Sequence, residues 1–367
     1  MRLSPAARPR SEPDRPPPAR PATSDPVADM WYLALAGHKL RRGRTVGMQL
    51  LGRPVVIGRD KAGAVFALQD RCPHRGIPLS HGKFDGTEVE CCYHGWRFDC
   101  SGTCTHIPSL LPTQKFELGR VKAGSLPCRE VQGNVWVFVP GEVGPGPHPM
   151  PDPPAAPDVE GRHYCLYESV RFHCTIDQAV SGLVDPAHGP FVHKSWFWRS
   201  GKALKEKAKA YAPSDLGFTM VRHTPSSNSK VYRLLFGGDA TVEIEFRLPG
   251  VRTEHIRAGR HHVVGMTCLT PLGDNEVELH QLFYATVPWL RFLVPFLRPL
   301  VRRFIGQDRD VMEKQGALTE DTHLMLINDA DKPIRWYLRA KEELLRSRAE
   351  GRPFANPVSE TILRWRT

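Results

Sequence analysis

Two short stretches, RCPHRG from Arg71 and CCYHGWRFDCSG from Cys91, constrain this chain more than any other feature. The first carries Cys72 and His74 as a Cys-x-His pair, and the second carries Cys91 and His94 as Cys-x-x-His, with sixteen residues between His74 and Cys91. Two thiolates and two imidazoles suit one tetrahedral zinc ion. They equally suit a two-iron, two-sulfur cluster in which histidines replace two cysteines on one iron. The residue types leave both open. Loops are good carriers for such ligands, because their backbone amides stay free to hydrogen-bond to sulfur. Cys92 is an extra thiol; using it would shorten the Cys-x-x-His step, so Cys91 is taken as the ligand.

A second group of metal-binding residue types lies further on, in GLVDPAHGPFVH from Gly182 to His193. Asp185, His188 and His193 are spaced by three and then five residues. Two imidazoles need only one more carboxylate to hold ferrous iron on one face and leave coordination positions open. The stretch FIGQDRDVMEKQ from Phe304 carries carboxylates that could take that place, with Asp308 and Asp310 the two rivals.

Between these motifs the chain alternates in character. Short strand-like runs recur up to about Pro140, among them TVGMQLLGRPVVIGRD, GAVFALQD, TEVECC and NVWVFVP. In the last, Val135, Val137 and Val139 face one way and Trp136 and Phe138 the other, as in a strand of a small antiparallel domain. GEVGPGPHPMPDPPAAPD is a stiff proline-loaded connector. Beyond it, TVEIEFRLPG and NEVELHQLFYATV alternate as strands among segments of helical period, which predicts a large antiparallel sheet with helices on one side. The N-terminal 27 residues are rich in Pro and Arg, without a secretory apolar core, and read as a disordered tail.

The run VPWLRFLVPFLRPLVRRFI from Val287 is the most apolar part of the chain, but its prolines and arginines do not suit a bilayer span. It reads first as core or pocket wall, and second as a segment touching a membrane surface. Nine cysteines in no regular framework, several of them candidate thiolate ligands, point to a reducing, cytoplasmic setting. The formal charge of +11 suits an acidic protein partner. No basic stripe interleaved with aromatics stands out, which argues against nucleic acid.

The pair C-P-H-R-G and C-x-Y-H-G-W-x-F-D-x-x-G-x-C resembles the Rieske ferredoxin signature. D-x-x-H-x-x-x-x-H at Asp185–His193 resembles the iron-binding element of Rieske non-haem iron oxygenases, and the segment from Phe304 resembles that family's F-x-x-E-D-x-x-V-x-E-x-Q, with Gln307 at the glutamate. The closest layout is the monooxygenase and demethylase type of oxygenase (alpha) component. The resemblance implies an α+β chain: a small all-β Rieske [2Fe–2S] domain plus a larger catalytic domain with an antiparallel β-sheet flanked by helices, of the helix-grip, START-like kind. The boundaries expected are a tail over 1–27, the Rieske domain over 28–140, a Pro-rich linker over 141–158 and the mononuclear iron domain over 159–367.

By the same resemblance, Cys72, His74, Cys91 and His94 hold a [2Fe–2S] cluster, and His188, His193 and Asp308 hold a mononuclear Fe(II). Asp185 bridges a cluster histidine to an iron-ligating histidine, across the subunits of a head-to-tail homotrimer. Cys100 and Cys104 are packing cysteines. Electrons come from a separate ferredoxin or flavin reductase, since the chain shows no flavin or nicotinamide fingerprint. The expected reaction is hydroxylation or oxidative demethylation, by O2, of a bulky hydrophobic, sterol-like or polycyclic substrate, favoured by the run from Val287 and by Trp196, Phe197 and Trp198. The alternatives are a small aromatic acid as substrate, or a non-catalytic Rieske electron carrier. One departure stands out: Gly182 replaces the asparagine often found three residues before the bridging aspartate.

Overall fold

The computed structural model describes residues 26–141, 150–193, 205–225, 239–316 and 325–367. Most of the tail, the middle of the linker and Trp196, Phe197 and Trp198 lie outside the described residues.

Three small antiparallel sheets precede the linker. The first joins β1 (Met30–Ala36), β11 (Asn134–Val139) and β10 (Cys128–Val131) in that order. The second has the order β2 (Arg44–Leu50), β3 (Arg53–Arg59), β4 (Val65–Gln69), β9 (Ser125–Leu126). The third is a meander of β5 (Lys83–Phe84), β6 (Glu88–Glu90), β7 (Arg97–Asp99) and β8 (Cys104–His106), which carries the second Cys/His loop between β6 and β7. The run TVGMQLLGRPVVIGRD is therefore a hairpin and not one strand. It reverses at Leu51 and Gly52, both at positive φ (53° and 71°), as a tight hairpin turn demands. Leucine is a poor choice there. Its cost is offset by docking, since Leu51 N–H donates to Pro271 O (2.9 Å) and Gly52 N–H to Leu272 O (3.0 Å) in the large sheet.

After the linker, β12 (Leu166–Phe172), β13 (Glu206–Ser214), β14 (Gly217–His223), β15 (Ala240–Arg247), β16 (Val251–Ala258), β17 (His261–Gly273), β18 (Glu276–Ala285) and β19 (Thr361–Arg366) form one antiparallel sheet. Its order is β12-β18-β17-β16-β15-β14-β13-β19. Four helices accompany it among the described residues: α1 (Ile176–Val184), α2 (Gly189–Val192), α3 (Leu290–Gly316) and α4 (Lys332–Ala349).

The two faces of this sheet are buried by different parts of the chain. Val264, Met266, Cys268, Leu282 and Tyr284 pack against Trp31, Leu33, Trp136 and Phe138 of the first small sheet. The alternation in β11 is as expected from its sequence, but both of its faces are buried, because Trp136 and Phe138 cover the large sheet. Thr270 Oγ1 donates to Leu33 O (2.7 Å) and Asn134 Nδ2 to Tyr284 Oη (2.5 Å), which tie the two sheets together across this contact. The opposite face meets the helices: Phe218 and Phe246 lie against Trp336 and Tyr337 of α4, at ring-centroid separations of 5.3 and 5.7 Å.

Helix α1 begins with a capping box, in which Gln178 N–H donates to Thr175 Oγ1 (3.3 Å) and Thr175 N–H to Gln178 Oε1 (2.9 Å). Its buried positions Ile176, Ala179, Val180 and Val184 follow the helical period and face the core. Its polar side reaches α4 through Asp177, whose carboxylate accepts from Tyr337 Oη and from Lys341 Nζ (2.7 Å).

Helix α3 contains Pro295 and Pro299 without breaking. Both sit on its exposed side, where water satisfies the carbonyls whose helical partner proline cannot supply. The expectation of core or pocket wall for the run from Val287 is corrected here. Phe292, Phe296 and Leu300 are 68%, 75% and 63% exposed in the single chain, and Ile305 is the one buried residue of the helix. No helix among the described residues is long and apolar enough to cross a membrane.

Candidate functional site

The two Cys/His loops have the same backbone design. Cys72 N–H donates to Ile77 O and Gly76 N–H to Cys72 O, both at 2.8 Å; Cys91 N–H donates to Trp96 O (2.8 Å) and Gly95 N–H to Cys91 O (3.1 Å). Each loop thus turns back on its cysteine through a glycine at positive φ, +75° at Gly76 and +67° at Gly95, a conformation that other residues adopt at a cost. The Asp70 carboxylate ties the first loop by accepting from Ser80 N–H (2.7 Å) and Ser80 Oγ–H (2.5 Å).

Cys72 and Cys91 end up side by side in the small core with Cys104, Phe98 and Leu79, while Cys92 is exposed. Burial pushes the Cys72 thiol up to about 11, although the amides of His74 and Arg75 point at its sulfur and favour the thiolate. His74 stacks on Trp96 (4.4 Å between centroids, 4° between planes) and lies 4.5 Å from the His94 ring. Burial, His94 and Arg75 lower the pKa of His74. His94 Nδ1 is buried with no hydrogen-bond partner. Buried thiols, aimed amides and an orphaned imidazole nitrogen are what a cluster of this kind needs.

The second site forms where α1 and α3 cross. Gln178 Nε2 donates to Gln315 O (3.4 Å), and a Cβ built on Gly182 would lie 2.8 Å from Met312 Sδ. The Met312 thioether thus lies against Gly182, and an asparagine there must displace that side chain. A Gly182→Asn variant is expected to lose about 1–3 kcal/mol through overpacking, read as a shift of the urea midpoint. Met312→Ala in the same chain is expected to restore part of it.

This crossing sets Asp308, one helical turn before Met312, beside the loop that follows α1. His193 Nε2 is 3.4 Å and His188 Nε2 3.8 Å from Asp308 Oδ1. Both rings are held from behind. His188 Nδ1 faces Asp185 O at 2.9 Å and His193 Nδ1 faces Gln307 Oε1 at 3.3 Å. An oxygen acceptor at Nδ1 makes that nitrogen the protonated one and turns the Nε2 lone pair toward Asp308. Phe304 stacks on His193 (3.7 Å, 17°).

His193 Nε2 is buried without a partner. Burial lowers His193 to about 4 and lowers His188; it raises Asp308 to about 7 against the opposing charge of Arg252. Two neutral imidazoles and a desolvated carboxylate converging on one point fit a divalent cation with open positions.

Asp185 closes its own loop, accepting from Ala187 N–H (2.7 Å), with its second oxygen 3.8 Å from His188 Nδ1. Among the described residues of this one chain it contacts neither His74 nor His94. Asp310 points away and pairs with Arg309 (2.9 Å). Sequence reading missed the parts played by Gln307, Phe304 and Met312. Gln307 had a signal, being next to Asp308 in a helix; the packing partners had none.

Another group, Asp158, His255 and His262, also converges. There Arg257 pairs with Asp158 (2.9 Å) and Arg222 lies 3.1 Å from His255 Nδ1. Two guanidinium groups make it an ionic clasp between linker and sheet, ill suited to a cation.

The fold and this site resemble those of one class, the Rieske oxygenase alpha-type components, and the residues present fit a [2Fe–2S] cluster and a mononuclear iron. The Rieske [2Fe-2S] domain family matches residues 30–117. Within the class, the chain is 28% identical over 356 residues to chlorophyllide a oxygenase of Chlamydomonas reinhardtii, covering 91% of this chain and 51% of that protein. It is 31% identical over 173 residues to the oxygenase component of dicamba O-demethylase from Stenotrophomonas maltophilia, covering 46% of this chain and 48% of that one. The chain spans about half the length of these curated relatives. The crystal structure of dicamba monooxygenase bound to dicamba superimposes with a TM-score of 0.62 at 21% identity, over 87% of this chain and 98% of that chain.

Proposed function

We propose that this chain is a terminal oxygenase component, which uses O2 and single electrons from a separate ferredoxin or flavin reductase to hydroxylate or oxidatively demethylate a largely hydrophobic substrate. The observation that carries this reading is the convergence of His188 Nε2, His193 Nε2 and Asp308 Oδ1 in a chain that also carries the paired Cys/His loops. A mere electron carrier has no use for that second group.

In this reading Cys72, Cys91, His74 and His94 hold the cluster, and His188, His193 and Asp308 hold the iron. When bound, the two groups supply electrons one at a time and a site for dioxygen reduction. The protein's own contribution is positional. Asp185 O and Gln307 fix the histidine tautomers, Phe304 seals one side of His193, and partial burial desolvates the Asp308 carboxylate. The Asp185 carboxylate, beside His188, is the natural acceptor for a cluster histidine of a neighbouring subunit, which supports a head-to-tail homotrimer. The exposed aromatic stripe of α3, with Arg291 and Arg303 nearby, supports peripheral contact with a membrane surface.

Metal and sulfide analysis of anaerobically purified protein tests the core of the proposal. About three irons and two sulfides per chain, with a Rieske-type electron paramagnetic resonance signal after reduction, are expected; two irons with the same signal point to a carrier. Cys72→Ser is expected to remove the cluster and its visible absorbance. Mixing Cys72→Ser chains with His188→Ala chains during assembly is expected to recover turnover that neither variant has alone. No recovery from mixed oligomers would count against electron passage between subunits.

A further inference from the structure

The helix-facing side of the large sheet carries one buried carboxylate outside the metal sites, that of Glu168 on β12. Tyr167, the residue before it, packs toward the small sheets, and successive strand residues point to opposite faces, so Glu168 shares the helix side with Val170 and Phe172. An unpaired charge there is costly. Gln281, directly opposite on β18, is already engaged: its amide accepts from Thr267 Oγ1 (2.8 Å) and donates to the carbonyls of Met266 and Leu282 (both 3.4 Å). Among the described residues the partners of the Glu168 carboxylate both come from α3. Oε1 faces Arg298 Nε at 3.0 Å, and Oε2 accepts from Arg302 Nε at 2.7 Å.

The two arginines are one helical turn apart and project from one side of α3. Each takes a separate oxygen, so together they fix the helix both along its axis and around it. Asp308 follows Arg302 by six residues, about 9 Å along the helix. Beyond Asp308 the helix is held again by its crossing with α1, through Met312 against Gly182 and through Gln315 O, which accepts from Gln178 Nε2 (3.4 Å). Asp308 therefore stands between two fixed points. The half of α3 that precedes the clamp is less secure. Pro295 and Pro299 have no N–H to give to the carbonyls of Arg291 and Pro295, and Phe292, Phe296 and Leu300 are exposed.

Rotation of α3 is the motion that matters to the metal triad. Side chains end about 5–6 Å from a helix axis, so turning α3 by about 10° carries the Asp308 carboxylate about 1 Å, enough to loosen a metal site. Apolar packing between β12 and α3 tolerates such a slip, because it has no preferred direction, whereas two charge-assisted hydrogen bonds to one carboxylate do not. Replacing a buried ion pair by apolar side chains is often neutral or favourable for stability. The case for a carboxylate at 168 is therefore one of position.

We propose that Glu168 is a positioning residue for the metal triad: through Arg298 and Arg302 it sets the rotation of α3 and so places Asp308 Oδ1 against His188 Nε2 and His193 Nε2. This rests on the oxygenase reading and deepens it by naming a residue outside the site that sets the site's geometry. Without the clamp the two histidines keep their place on the loop after α1, and the carboxylate drifts from them.

The test is Co(II) binding by the whole chain with its cluster oxidised and its mononuclear iron removed by chelation. Co(II) is paramagnetic, whereas an oxidised [2Fe–2S] cluster is silent in electron paramagnetic resonance, so the signal reports the triad alone. Wild type is expected to bind one Co(II) with a single signal, and His193→Ala to abolish it. Glu168→Gln is expected to weaken that binding about tenfold or more and to split or broaden the signal, with the Rieske signal after reduction unchanged. Arg302→Gln is expected to do the same more mildly, since Arg298 remains. The double variant is expected to bind no more weakly than Glu168→Gln alone, because both changes break one contact. Arg171→Gln, which breaks an exposed ion pair with Glu276 (3.2 Å) on the same strand, is expected to keep the Co(II) affinity within about twofold. A merely structural role for Glu168 lowers the urea midpoint and leaves the Co(II) signal where it is. Unchanged Co(II) affinity and signal in Glu168→Gln, an equal loss in Arg171→Gln, or a further loss in the double variant would overturn the clamp. If Glu168→Gln does not fold, Arg302→Gln, whose side chain is largely in water, decides by the same two readouts. Wild type with no Co(II) binding that depends on His193 defeats the oxygenase reading, whereas wild type that binds it and Glu168→Gln that binds it equally well defeat the clamp only.

Discussion

Asp308→Ala is expected to leave the chain folded and its cluster spectrum intact while removing the mononuclear iron and, with it, oxygen-dependent turnover. The carboxylate is the sole anionic group in the triad, and the two imidazoles that face it are already oriented by Asp185 O and Gln307. Without Asp308, two neutral nitrogens remain in a partly buried site, and the ion loses both a ligand and a compensating charge. The control is Asp310→Ala. That side chain is exposed and paired with Arg309, so its removal is expected to change iron content by less than the error of the assay. Iron retained at full occupancy in Asp308→Ala would remove this residue from the site. The related substitution Asp185→Asn is expected to keep both metals and slow product formation about 10- to 100-fold. Loss of either metal in that variant would show that Asp185 supports ligation directly.

The largest expected effect on stability comes from a residue that touches neither metal site. Lys341 is nearly inaccessible, and its ammonium donates to Asp177 Oδ1, which also accepts from Tyr337 Oη. Asp177→Ala would leave a buried ammonium without its counter-charge, an expected loss of about 3–5 kcal/mol in urea denaturation. Asp177→Asn keeps an acceptor and should lose less. Asp177→Ala combined with Lys341→Met should recover most of the stability, because an apolar pair of similar volume avoids the desolvation that the ion pair must overcome. A loss below about 1 kcal/mol in the single variant would mean that Lys341 reaches water when its partner goes. The pair also bears on the iron site, since it holds α1 against α4, and α1 delivers the loop with His188 and His193.

Parts of this organisation were legible in the sequence for definite reasons. The Cys/His loops were visible because each keeps its candidate ligands within a few residues, and their glycines are demanded by backbone angles local to the loop. The alternation of Val135, Trp136, Val137, Phe138 and Val139 was visible because strand period is local too. What covers the Trp136 face was not, since it depends on the large sheet folding back over β1 and β11. The Leu51–Gly52 hairpin was read as continuous strand because leucine gives no turn signal; its left-handed conformation is held by two hydrogen bonds that it donates to carbonyls of a distant strand. The helix 332–349 and the closing strand 361–366 also passed unnoticed, and neither carries a motif.

Sequence by itself determined the metal-binding residue types, their order and the cluster-loop spacings, because metal chemistry accepts few side chains and short loops leave little choice of geometry. Tertiary structure decided that Asp308, which the sequence resemblance had singled out, meets His188 and His193 while Asp310 pairs with Arg309, and that Met312 lies against Gly182. It also decided that Phe292, Phe296 and Leu300 in the apolar run from Val287 are exposed. These are facts about how α1, α3 and the sheet pack. Packing couples residues that no local spacing connects, so the crossing at Gly182 and Met312 is what brings Asp308, named by its motif, to the histidines in space.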